Sequence, residues 1–273
     1  MSGRASLRIV QLGFATTTQD HGRPHLAHLG VPTAGAVDRR THDLVNRLVG
    51  NHSSTVTIET MGALVVEALR PVIVASSTDG ARHTLSPGDS LRIDAPPGAV
   101  WAYLAVRGGL VIDPVLGSRS YDTLGHVGPD LLTEGAELTI GPDPGTELPA
   151  DHAPRRPIHD RVIRVWDGPQ HDWFVGGTYD LVHRSWTVTN EVSRVGVRLA
   201  AGDMVRSPHS QPQMSSIGLV EGAVQVTPAG EPIVMLANHP TTGGYPVIAV
   251  VDPDDLPVLV QARPGSEVTF RRA

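Results

Sequence analysis

The 273-residue sequence has no cysteine. Disulfides, thiolate nucleophiles and cysteine-bound zinc centres are therefore excluded. No apolar run approaches the ~18 residues of a membrane-spanning helix. The opening residues, MSGRASLRIVQLG, lack the apolar stretch of a secretory leader. A cytoplasmic chain with no membrane partner is expected. Positive charge is in deficit: the formal net charge of −6 argues against nucleic acid as a main partner. Catalytic glycine signatures are missing too. There is no G-x-S-x-G elbow and no G-x-G-x-x-G after a strand. The glycine loop Thr241-Thr242-Gly243-Gly244 lacks the lysine of a phosphate-binding loop.

What is present is 29 glycines and 23 prolines in a chain that is 40% hydrophobic, with little sign of long amphipathic helices. That balance predicts many short strands joined by tight turns. Strands are expected at Leu7 to Leu12, Val56 to Thr60, Ala63 to Leu69, Pro71 to Ser76, Ala99 to Arg107 and Val162 to Trp166. Further strands are expected at Trp186 to Val188, Gly196 to Leu199, Val247 to Val251 and Ser266 to Arg271. A glycine followed by two small or polar residues and an alternating strand recurs at Gly88, Gly135 and Gly265. The spacing is irregular, which excludes a solenoid with a fixed repeat. One longer helix is predicted after Asp38 as N-cap, with a stripe of Leu44, Val45, Leu48 and Val49 and a stop at Gly50. Asn46 lies beside that stripe, so its amide is expected to be buried and paired. Short helices are expected near Pro169 and from Asp254 or Asp255 to Leu259. Pro142 to Pro157 holds five prolines and no periodicity, and reads as a boundary between two halves.

The stretch from Gly222 to Pro246 organises the second half. Val224 and Val226 alternate with Gln225 and Thr227, the pattern of a half-buried strand. Pro228-Ala229-Gly230 is a turn, Ile233 to Leu236 a core strand, and Thr241 to Pro246 a glycine-rich loop. Two glycines there let the backbone approach a neighbour that a Cβ would obstruct. Elsewhere, His21, His25 and His28 have the spacing of ligands on a helix, but Gly22 and Pro24 break any such helix. No metal site is expected.

The motifs Thr17-Thr18-Gln19-Asp20-x-Gly22-Arg23-Pro24, Gly30-Val31-Pro32, Gly35-Ala36-x-Asp38 and Asn46-x-Leu48-Val49-Gly50-Asn51 follow one another in order. Leu104 to Gly109, Leu116 to Ser120, Gly168-Pro169-Gln170-x-Asp172-x-Phe174, Gly222 to Val226 and Thr241 to Pro246 continue the series. In these the sequence resembles the biotin-dependent carboxyltransferase family. That family includes the C component of 5-oxoprolinase (also KipA or allophanate hydrolase subunit 2) and the carboxyltransferase region of urea carboxylase.

The resemblance implies a mainly β fold of two cyclophilin-like β-barrel subdomains with a few short helices, subdomain A at 1–145, a linker at 146–157 and subdomain B at 158–273. It implies a KipI-like partner subunit (the B component of 5-oxoprolinase, or allophanate hydrolase subunit 1) and a LamB/YcsF-like partner (the A component). The implied activity is ATP-dependent opening of 5-oxoproline to glutamate, with ATP held by a partner subunit. The alternatives are a non-catalytic regulator that binds the KipI-like kinase inhibitor, or a carboxyltransferase served by biotin on another chain.

All of these enzymes must orient an unreactive amide and stabilise charge on its oxygen. Asp20, Asp172, Thr242 and Tyr245 are the expected catalytic groups. Gln19, Arg23, Gln170, Gln225, Thr241, Gly243 and Gly244 are expected to hold substrate, Arg23 through its bidentate fork. The competing account is that these polar groups pair with one another to brace the barrels. Departures from the family pattern stand at Ile217 for Glu, Asn238 for Asp, Pro240 for Gln, Ser193 for Asn and Pro129 for Arg. Loss of a carboxylate at 217 removes a candidate acid or base, which favours a different substrate or a weakened enzyme.

Overall fold

The computed structural model describes residues 6–153, 161–208, 210 and 214–273. Among these, two compact units are distinguished: residues 6–23, 34–122 and 126–153 form the first, and residues 24–33, 123–125 and 161–273 the second. The fold is mainly β, with three α-helices of ten residues or fewer among the described residues.

The first unit runs β1 (Leu7–Gln11), β2 (Thr17–Gln19), α1 (Arg39–Leu48), β3 (Thr57–Met61), β4 (Leu64–Ala68), β5 (Val72–Ser76), β6 (Ala81–Leu85), β7 (Ser90–Ile93), β8 (Trp101–Val106) and β9 (Glu137–Leu138). Its strands form two antiparallel sheets, ordered β7-β4-β1-β9 and β2-β3-β8-β5-β6. The sheets share one apolar core, in which Leu7, Ile9, Leu64 and Val66 of one meet Ile58, Val74, Leu104 and Val106 of the other. Strand β8 is buried along its whole length. Ala102, Leu104 and Val106 face the shared core, while Tyr103, on the alternate face, meets His42 of α1 edge-on at a centroid distance of 6.3 Å. Helix α1 forms where the sequence predicts it. The Asp38 carboxylate accepts from the Thr41 N–H at 3.0 Å and the Thr41 hydroxyl at 2.6 Å, satisfying an otherwise orphaned donor. Asn46 is buried; its amide donates to the Thr55 carbonyl at 2.7 Å and accepts from Asn51.

The proline-rich stretch is hydrogen-bonded to this unit as far as Ala153. Arg107 donates to Asp143 and the Thr146 carbonyl, and Arg82 to the Pro149 carbonyl and Asp151. Residues 154–157 of the expected boundary lie outside the described residues.

The second unit contains β10 (Val162–Asp167), α2 (Gly177–Val182), β11 (Ser185–Val192), β12 (Gly196–Ala200), β13 (Ile217–Gly218), β14 (Ala223–Val226), β15 (Pro232–Met235), β16 (Thr242–Gly243), β17 (Val247–Val251), α3 (Leu256–Val260) and β18 (Glu267–Arg272). Seven of these strands close into a barrel in the order β10-β17-β14-β15-β12-β11-β18. The ring closes through the parallel pairing of β10 with β18; its other ladders are antiparallel. Alternate residues point inward, such as Ile163 and Val165, Trp186 and Val188, Val268 and Phe270.

The hairpin pairs Val224 with Val234 and Val226 with Pro232, and Gly230 turns the chain at φ 85°. Strand β14 departs from the half-buried pattern its alternation predicts: all four residues are buried. The cause is the two-stranded flap β13–β16, which pairs Ile217 with Gly243 and Gly218 with Thr242. It covers the outer face of the barrel over a small apolar cluster of Leu219, Ala223, Met235 and Val247.

Candidate functional site

Gln225 stands on the outer face of β14 and is only 3% exposed. Its amide nitrogen donates to the Tyr245 carbonyl at 3.0 Å. A Cβ on Gly243 would lie 2.7 Å from that nitrogen and 2.8 Å from the end of the Leu219 side chain, so a larger residue here would push both side chains aside. Gly244 has no such constraint: its nearest neighbours, Met214 and Ser216, are 3.8 Å away. The close-approach reading therefore holds for the first glycine of the pair and not the second.

Gln225, Pro240, Gly243, Gly244 and Tyr245 form one wall of a cavity of about 470 Å³. The other wall comes from the β11–β12 hairpin and includes Asn190, Glu191, Ser193 and Arg198, with Ile233 and Met235 as the apolar surface of β15. Arg198 is held between two carboxylates, Glu191 at 3.1 Å and Glu231 at 2.9 Å. The Tyr245 ring is partly exposed at 43%. An amide-sized ligand here would meet a carboxamide, a phenol, an arginine and a carboxylate over an apolar base. That combination can orient a small polar molecule.

Other predicted residues of this unit have different surroundings. Thr241 uses its carbonyl to accept from Leu219 N–H, and Thr242 is paired in the flap with its side chain exposed. Neither lines the cavity. Gln170 exchanges hydrogen bonds with Val247 through its backbone and its side-chain oxygen, each at 3.0 Å, which staples the loop after β10 to β17. Asp172 is exposed on a short 3-10 helix, His171–Trp173, away from the cavity walls.

Gln19, Asp20 and Arg23 belong to the first unit and form a second polar cluster, with Ser118, Ser120 and Asp122. Burial alone would raise the Asp20 pKa. Hydrogen bonds from the Ser118 and Ser120 hydroxyls, both 2.6 Å, and from the Arg119 and Gly22 N–H groups outweigh it and hold the carboxyl below the usual range. Such a fully bonded carboxylate is a brace rather than a proton carrier. Arg23 is 2% exposed; burial lowers its pKa, opposed by the charges of Asp122 and Asp20. It donates through Nη2 to the Ser120 carbonyl, while Nε and Nη1 have no hydrogen-bond partner among the described residues. Gln19 donates to Thr17 and the Tyr121 carbonyl, and its Oε1 is likewise unpaired.

Sequence reasoning missed Glu191, Ser193 as a wall residue, and Arg198. Arg198 alternates with the buried Val197 and Leu199, which is the one local sign that it faces outward. Two of the family departures fall on the cavity itself, Ser193 and Pro240, and Ile217 pairs with Gly243 behind it. Asn238 is fully buried and accepts from Thr123 N–H and hydroxyl at 2.7 and 2.9 Å.

Known proteins share this fold, some of them with about a third of the sequence identical. The C component of the 5-oxoprolinase of Escherichia coli is 32% identical over 97% of the chain and 90% of its own length. The crystal structure of TTHA0988 superposes with a TM-score of 0.87 at 32% identity, covering 98% of this chain; the chain spans about half of that longer protein, 55%. The Kluyveromyces lactis urea amidolyase shares the fold, with a TM-score of 0.89 at 24% identity, over 100% of this chain and 19% of that one. A family model described as carboxyltransferase domain, subdomain A and B, matches residues 29–272. The chain belongs to that carboxyltransferase subdomain A and B family.

Proposed function

We propose that this chain is one subunit of an ATP-dependent enzyme that opens an amide or lactam, with 5-oxoproline to glutamate as the best-supported reaction. In this reading it acts with a KipI-like subunit and a LamB/YcsF-like subunit, and the nucleotide binds to a partner. The setting is the cytoplasm, where ATP is supplied; no helix among the described residues is long and apolar enough to cross a membrane. The division into 1–145 and 158–273 is kept as part of this proposal.

The observation that carries it is the cavity of about 470 Å³ walled by Gln225 and the Gly243–Tyr245 tip. Its size and mixed lining suit a small cyclic amide, which needs donors for its oxygen and an apolar surface for its ring. Gln225, Tyr245 and Arg198 would orient the amide and its carboxylate, and Glu191 would move a proton. The unpaired Nε and Nη1 of Arg23 and Oε1 of Gln19 support a second polar binding position in the first unit. Asp20 would position that set, Thr241 and Thr242 would hold the flap, and Gln170 would hold the loop that carries Asp172 against β17.

The test is co-expression with a KipI-like subunit, followed by ATP hydrolysis assayed with 5-oxoproline, urea and other small amides. Turnover is expected with 5-oxoproline, and Gln225→Leu is expected to lower it by about 100-fold, the loss typical of one oriented polar group. Unchanged turnover in that variant would reject the cavity as the site.

A second reading has its own support. Pro240 on the cavity wall and Ile217 behind Gly243 remove side chains that an active site would use, which favours a regulator that binds the KipI-like inhibitor. Stable complex formation with no turnover on any amide would select it. Carboxyl transfer from biotin on another chain is the remaining alternative, supported by the family description, and would appear as turnover only with a carboxylated carrier.

A further inference from the structure

His21, on the loop after β2, and His42 and Asp43, on α1, meet in the first unit. The Asp43 Oδ1 oxygen lies 2.8 Å from His21 Nε2 and 3.1 Å from His42 Nδ1. Their donor atoms all fall within 4.8 Å of one another. Two imidazole nitrogens and one carboxylate oxygen are the ligand types that zinc takes, at about 2.0–2.2 Å each. Tetrahedral ligands at that radius are about 3.3 Å apart. The two separations from Asp43 are a few tenths of an ångström shorter, a difference that side-chain rotation absorbs, and the two imidazole nitrogens lie within 4.8 Å of each other.

The cluster is buried on one side and open on the other. His42 is fully buried, and its Nε2 has no hydrogen-bond partner among the described residues. The nitrogen that faces the cluster is the other one, Nδ1, 3.1 Å from Asp43 Oδ1. The side chains of His21 and Asp43 are about one-third exposed, 33% and 30%, so the cluster opens to solvent on one side.

We infer that His21 Nε2, His42 Nδ1 and an Asp43 carboxylate oxygen bind one zinc ion, with a fourth position open to solvent. The site stands independently of the amide-handling proposal. It ties the loop between Asp20 and Arg23 to helix α1, and so fixes the segment that carries both of those side chains. The residues join across 21 positions of sequence, which is why the spacing of His21, His25 and His28 gives no hint of it. His25 has a left-handed φ of 69° and residues 27–29 form a short 3-10 turn, so no continuous helix presents that trio.

The experiment uses the full-length, untagged, chelator-treated chain. Zinc is titrated by calorimetry and cobalt by visible d–d absorption. Saturable binding of one ion per chain is expected. His21→Ala and Asp43→Asn should each weaken it by about tenfold or more, since even partners one shell further out are worth 10–100-fold. His25→Ala and His28→Ala should leave it unchanged. Zinc should raise the melting temperature of the wild type and not that of the first two variants. Both substitutions lie at partly exposed side chains and spare buried His42, so each variant is expected to fold. Absence of saturable binding, or binding that survives in both His21→Ala and Asp43→Asn, would overturn the site.

Discussion

Tyr103 shows how much a single buried hydroxyl organises. It donates to Glu59 Oε2 at 2.7 Å and accepts from Asp38 N–H at 2.8 Å, and Glu59 in turn accepts from Val37 N–H. Burial pushes the phenol pKa well up, reinforced by the charges of Glu59 and Asp38, so the group stays a donor. Tyr103→Phe deletes one donor and one acceptor, and so removes one bond from Glu59 and one from the Asp38 N–H. The expected cost is about 1–3 kcal/mol, read as a fall in melting temperature of roughly 2–4 °C per kcal/mol for a chain of this size. A melting curve identical to wild type would mean that water replaces the hydroxyl. At this scale the sequence was only partly legible. The capping role of Asp38 follows from its place before an apolar stripe. The four-bond cage around Asp20 does not, because Ser118 and Ser120 lie about a hundred positions away and nothing local marks them as partners.

Helix α3 illustrates the element scale. Asp255 stands at its N-cap yet its carboxylate makes no capping bond. It accepts instead from Arg164 N–H, Nε and Nη2 of β10, at 2.8 to 3.0 Å, which fastens the helix to the barrel wall. Hydrogen bonding to Arg164 holds the Asp255 carboxyl below its ordinary range despite partial burial, and the same pairing raises Arg164. A depressed carboxyl binds fewer protons when folded than when unfolded. Its contribution is therefore complete above the unfolded value of about 3.9 and is lost as pH falls through the lower folded value. Asp255→Asn should lower the melting temperature near pH 7, and the gap to wild type should narrow as pH falls below the unfolded value of about 3.9. A gap independent of pH would assign the effect to packing. Helix α1 and most strands were legible from periodicity and turn residues. Helix α2 was not: its six residues begin with Gly177 and carry no side-chain cap. It is secured by tertiary contacts, with buried Leu181 and a hydrogen bond from Trp186 Nε1 to the Leu181 carbonyl. Strand β6 was missed because Ala81–Leu85 is polar along most of its length and exists through its register with β5.

For the molecule as a whole, chain order and spatial units do not coincide. The barrel unit takes in residues 24–33 and 123–125 from the first half of the sequence. Thr123 supplies two of the hydrogen bonds to the fully buried Asn238 oxygen, at the point where the chain leaves β15 for the glycine-rich loop. Cutting the chain at the proline-rich stretch would thus strip the barrel of part of its own structure. A fragment of residues 158–273 lacks both segments, leaving Asn238 without these donors and uncovering surface that residues 24–33 now occupy. Each lost bond to a buried acceptor is worth about 1–3 kcal/mol, which is a large share of a domain's net stability of about 5–15 kcal/mol. The fragment is expected to melt well below the full-length chain and to show weaker amide-exchange protection around Asn238 than at Val224 or Val234. Within the full chain, Asn238→Asp keeps the acceptor and should preserve stability near neutral pH, whereas Asn238→Ala should not. A fragment as stable as the intact protein would show that the segments 24–33 and 123–125 are passengers, and that the barrel folds from the second half of the sequence alone.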